Sequence, residues 1–142
     1  MESQLTKEAA IALITPFYDS LTHPGKKPVA ENIRSAASET WRSYASETVS
    51  KGREEFIMQV QGFGKILPDL TWDIKEVIVA GNRIVVRSEA SGTPAGDFMG
   101  VPHGGKSFRI MAIDIHTVVD GKLAMAHHVE DWASAFRQLL AK

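Results

Sequence analysis

The chain has 142 residues, a formal net charge of -1 and a hydrophobic share of 44%. This length fits one domain with its own core, residues 1–142. Near-neutral charge gives no support for nucleic-acid or membrane-surface binding, which usually needs a basic excess. The absence of cysteine excludes disulfides, thiolate metal sites and a Cys nucleophile. No apolar run is long enough to span a bilayer, and the start lacks the pattern of a secretory leader. A cytoplasmic protein with no membrane or nucleic-acid partner is expected.

Residues Thr6 to Leu21 read as a helix, with Ile11, Ile14, Tyr18 and Leu21 near one face. Pro16 should kink this helix or start a new one after Thr15. His23-Pro24-Gly25 ends the element. Val29 to Ala37 reads as a short second helix. A third spans Gly52 to Leu67, with Phe56, Val60, Phe63 and Leu67 as its apolar stripe. Gly62 and Gly64 weaken that helix and would allow close approach of another backbone.

The second half reads as strands. Thr71 to Ala80 and Arg83 to Thr93 flank the hairpin signal Gly81-Asn82. Gly92 to Gly105 is a glycine-rich loop whose Phe98, Met99 and Val101 should fold over something. Ser107 to Val119 and Lys122 to Glu130 are strands joined by Asp120-Gly121, a strong turn signal. Asp131 to Leu140 closes the chain as a helix. Helices followed by strands argue an α+β fold.

The last hairpin carries the chemistry. A two-residue turn pairs Val119 with Lys122, and counting back puts His116 opposite Met125 and Asp114 opposite His127. Side chains alternate with period two, so one face would carry Asp114, His116, Met125, His127 and Asp131 among apolar residues. Burying such groups costs several kcal/mol unless they are paired, and polar groups converging in an apolar cavity mark ligand or catalytic sites. Arg109, Met111, Ile113, Ile115, His128 and Glu130 would fall on the opposite face, itself apolar enough to need a cover such as a second subunit. A one-residue bulge would overturn this parity. His116, His127 and a carboxylate could hold a metal, but no close ligand spacing supports one, and none is expected.

Several stretches together resemble the SnoaL-like polyketide cyclases, within the nuclear-transport-factor-like superfamily. These are Gly52-Arg53-Glu54, Phe63 through Leu70, Gly92-Thr93, Gly96 through Pro102, Ile113-Asp114-Ile115, Asp120 through Leu123, and Asp131 before the last helix. The resemblance implies a cone-shaped half-barrel, a curved antiparallel sheet wrapped around N-terminal helices, with an internal pocket. It implies a homodimer or higher homo-oligomer. It also implies aldol cyclisation of a small hydrophobic carbonyl compound, with no metal or organic cofactor. Isomerase, dehydratase, epoxide hydrolase or non-catalytic binding roles are alternatives on the same fold. Asp131 matches the family's acid/base, assisted by a His on the preceding strand, for which His116 has suitable parity. His116 or His127 would then steady an enolate oxygen, and Asp114 would fix the tautomer of His127. Tyr44, Trp41, Phe56, Phe98, Met99 and Met125 would line the pocket, although plain core packing is the stronger reading of Trp41.

Overall fold

The structure is a computed structural model and describes residues 4–142. Helix α1 (Lys7–Asp19) starts at Thr6, whose hydroxyl accepts from the Ala9 N–H at 3.1 Å. It continues through Pro16 as one helix, so neither a break nor a second start occurs there. Its buried stripe is Ala10, Ile14, Phe17 and Tyr18, while Ile11 faces outward. Helix α2 (Val29–Ala36) is followed directly by two strands that the sequence does not announce, β1 (Ala37–Tyr44) and β2 (Ser50–Gly52). Helix α3 (Arg53–Ile66) comes next, then β3 (Thr71–Ala80), β4 (Arg83–Gly92), β5 (Phe108–Val119), β6 (Lys122–Glu130) and α4 (Trp132–Leu140).

The six strands form one open sheet in the order β2-β1-β6-β5-β4-β3. The sheet is mixed: β1 runs parallel to β6, and the other pairs are antiparallel. This corrects the expectation of a purely antiparallel sheet. The rest of that expectation holds, an α+β cone with helices packed against one face. Strand β5 shows the reason, since its residues alternate buried and accessible along almost its whole length. Phe108, Ile110, Ala112, Asp114, His116 and Val118 point inward, and Met111, Ile113 and Ile115 point outward. Inward residues of β4 and β6 join Ile14, Phe17, Ile33, Trp41 and Val60 in the main core.

One close approach depends on glycine. A Cβ on Gly64 would lie 2.7 Å from the Gly25 nitrogen, so α3 can rest on the 3-10 turn at Pro24–Lys26 only without a side chain there. Gly62 meets nothing of the kind. The glycine-rich loop does fold inward: Phe98 and Val101 pair across a two-residue reversal and pack with Leu67, Leu70, Phe108 and Ala135 in a second core.

Candidate active site

The register of the last hairpin decides what the site contains. Val119 pairs with Lys122 and Val118 with Leu123, as the turn dictates. The pairing then slips, because Thr117 faces Met125 and leaves Ala124 as an extra residue in β6. Such a bulge exchanges the two faces of one strand beyond it. His116 therefore opposes Ala126, Asp114 opposes His128, and His127 opposes Ile115.

The expected set is thus partly corrected. Asp114 and His116 lie inside as expected. His127 and Met125 fall on the outer face, where Tyr44 stacks on His127 with ring centroids 5.1 Å apart. His128 and Glu130, assigned to the outer face by the unbulged count, turn inward instead. Asp131 is exposed and caps α4, its carboxylate accepting from the Ser134 N–H at 3.1 Å and the Ser134 hydroxyl at 2.6 Å. The Ser134 hydroxyl and backbone bonds hold its carboxyl below the usual carboxylate range. It sits apart from the inner cluster because the same bulge gives it the outward parity of His127 and Val129, at the point where β6 gives way to the helix.

Inside the cone lies a cavity of about 160 Å³. One water needs roughly 10–15 Å³ by this measure, so the space admits a small organic molecule. Phe17, Phe56, Phe63, Trp72 and Trp132 give it largely aromatic walls, and Met99 reaches it from the loop. Asp114, His128 and Glu130 bring ionisable groups to it, with Ser43 and Gln59 as further polar neighbours. Among the residues expected to bind substrate, Phe56 and Met99 line this space. Trp41 is buried in the main core, and Phe98 stacks on Phe108 in the second.

Asp114, His128 and Glu130 place their ligand-type atoms within 4.8 Å of one another. The His128 Nδ1–H donates to Glu130 Oε2 at 2.7 Å, and this bond raises the imidazole above its ordinary value. Behind them, Tyr18 on α1 donates its hydroxyl proton to Asp114 Oδ2 at 2.5 Å and stands 2.7 Å from His116 Nε2. Burial pushes the Asp114 carboxyl up to about 7, against the pull of the Tyr18 hydroxyl. Burial also drives His116 down to about 4, so its imidazole is neutral. The same desolvation, with the Asp114 charge beside it, lifts the Tyr18 phenol well above its ordinary value. A carboxyl poised near neutrality, beside an imidazole favoured as a cation, can take a proton from carbon and return one to oxygen.

Sequence reasoning missed Tyr18, His128 and Glu130. Tyr18 was visible as part of an apolar helical stripe, but its partner lies 96 positions away. His128 and Glu130 required knowledge of the bulge at Ala124.

An open mixed sheet, wrapped on helices around an aromatic chamber with ionisable groups at its wall, defines a cone with room for a small molecule. The comparisons narrow this. The family model described as SnoaL-like polyketide cyclase matches residues 13–139. The chain belongs to that family. Among solved structures, TsrD from Streptomyces laurentii superposes with a TM-score of 0.84 at 23% identity, covering 98% of this chain and all of that one. A SnoaL-like protein from Jannaschia sp. CCS1 gives 0.84 at 18% identity, covering 100% and 99% of the two chains. A SnoaL-like polyketide cyclase from Agrobacterium tumefaciens gives 0.72 at 17%, covering 97% and 99%. At such identities these likenesses speak for the fold. No protein of curated function matches the chain.

Proposed function

We propose that the protein is a cofactor-independent acid/base enzyme acting on a small, largely apolar carbonyl compound, with intramolecular aldol closure as its reaction. The observation that carries this reading is the Asp114–His128–Glu130 group at the wall of an otherwise aromatic chamber. Ionised Asp114 removes a proton from the carbon next to a carbonyl. The resulting enolate carbon bonds to a second carbonyl of the same molecule, and the new alkoxide takes a proton from the His128 imidazolium. Protonated Asp114 then passes its proton to neutral His128, which restores both groups with no net change in composition. Glu130 favours the imidazolium through its hydrogen bond to Nδ1. The aromatic walls exclude water, which strengthens each of these interactions.

The test is turnover against a panel of polyketide-like polyketones, enones and epoxides. Asp114→Asn is expected to lower kcat by about 10²–10⁴-fold on whichever class reacts, the usual worth of a positioned general base. Ligand binding should persist in that variant. Retained turnover would remove Asp114 from the chemistry. No turnover on any class would favour a binding protein.

The oligomer is part of the same proposal. Met111, Ile113, Ile115 and Val129 leave an exposed apolar strip on the outer sheet face. A second copy is the cover that this strip fits, and a homodimer or higher homo-oligomer is the proposed working form. No helix among the described residues is long and apolar enough to cross a membrane. A cytoplasmic setting without membrane or nucleic-acid partners belongs to the proposal.

A further inference from the structure

Two buried polar residues stand behind the cavity wall and outside the reaction just described. Tyr18 comes from α1 and His116 from β5, and neither lines the cavity. Both are almost wholly buried. Each nevertheless aims a polar atom at the next, ending on the carboxylate that does face the cavity.

A phenol has one proton to give. Tyr18 gives its proton to Asp114 Oδ2 at 2.5 Å, so the 2.7 Å contact with His116 requires Nε2–H as the donor and the Tyr18 oxygen as acceptor. The chain is therefore directed, from His116 Nε2–H to the Tyr18 hydroxyl to Asp114 Oδ2. The far nitrogen of His116, Nδ1, is buried without a partner. A bare lone pair is the cheaper orphan there, which agrees with the proton on Nε2. The imidazole cannot swing away, since Phe17 and Tyr18 meet it edge-on with ring centroids at 5.4 and 5.7 Å.

We propose that Tyr18 and His116 are positioning residues, which tie up Oδ2 of Asp114 and leave Oδ1 as the one oxygen that exchanges protons in the cavity. This deepens the reading of Asp114 as the acid/base and rests on it for its catalytic meaning. Among the described residues, Asp114 receives hydrogen bonds only at Oδ2. The other charged or titratable groups facing it are His128 and Glu130 on β6, with Lys51 of β2 acting on His128. From β4 its cross-strand neighbour is the apolar Val86. Tyr18 is thus the direct hydrogen-bond donor that resists protonation of this buried carboxyl. Without it, burial would leave Asp114 protonated at neutral pH and useless as a base. A purely structural role explains the network less well, because apolar side chains of similar volume fill buried space at lower cost.

The experiment is a carbon NMR titration of the Asp114 carboxyl in ligand-free protein. Wild type is expected to titrate near the value of about 7 that burial imposes. Tyr18→Phe should raise that midpoint by about one unit, the scale of a lost hydrogen bond to a charged group. The chain has two tyrosines. Tyr44→Phe protein carrying 3-fluorotyrosine therefore bears the label at Tyr18 alone. Its more acidic phenol should lower the midpoint with almost no change in shape, and it decides the matter if Tyr18→Phe does not fold. An unmoved midpoint in the fluorinated protein, or a shift of opposite sign in either variant, overturns the proposal. Neither reading uses substrate, so retained turnover in Asp114→Asn would sink the proposed reaction while leaving this result standing.

Discussion

Two aspartates near the end of the chain carry the same side chain into opposite settings. Asp114 stands in the middle of β5, facing the chamber, with Tyr18 behind it and His128 and Glu130 across the next strand. Asp131 stands at the rim, one residue past β6, exposed, with the Ser134 N–H and hydroxyl bonded to its carboxylate. Burial lifts the first toward neutrality, and hydrogen bonding lowers the second. The buried group is strained as an ion and ready to accept a proton. The rim group is comfortable as an ion and holds a helix end. The proposed proton-transfer role rests on this difference, since a position that disfavours the charge suits a base better than one that stabilises it.

The contrast predicts opposite responses to one substitution. Between its unfolded value of 3.8 and its folded value of about 7, the native state binds the Asp114 proton and the unfolded state does not. Stability therefore falls as pH rises through this window, and the penalty is fully present above about pH 7. Asp114→Asn should then stabilise the protein at pH 8 by a few kcal/mol, measured by denaturant unfolding. His116 works the other way, since its folded value lies below its unfolded 6.5. Its burial costs stability as pH falls from 6.5 to about 4 and opposes the Asp114 trend there. Asp131→Asn or Asp131→Ala has no burial penalty to relieve. Loss of the cap should lower the stability of the Ala variant and lower that of the Asn variant less, since Asn also caps well. Equal signs for Asp114→Asn and Asp131→Ala would break the comparison.

A smaller effect is expected outside the chamber. Ile115→Lys places a charge on the apolar outer strip, and sedimentation should show the proposed oligomer giving way to monomer with the monomer fold intact. An unchanged mass would mean that another surface makes the contact.

The strands with strong period-two patterns were legible in the sequence, and so was the inward parity of β5 that carries Asp114 and His116. The polar segment at 37–52 was not. Its Ser, Thr and Glu residues lack a clean alternation, and β1 owes its place to pairing with β6, which is far along the chain. The β6 half of the site failed for a local reason. The hairpin turn fixes register only as far as Leu123, and nothing about Ala124 marks it as the residue that will be left unpaired. That one position exchanges His127 for His128 and brings Glu130 inside. Asp131 was legible as the start of the closing helix, but its cap became visible only in its bonds to Ser134.

The most direct test is the pH dependence of kcat/KM in wild type and Asp131→Asn. Asp114 as the base requires a rate that climbs through about pH 7 as its proton leaves, and Asp131→Asn should keep that limb and most of the turnover. Collapse of activity in Asp131→Asn, or a limb displaced to the pH of an ordinary exposed carboxylate, would contradict the assignment of the chemistry to the interior of the cone.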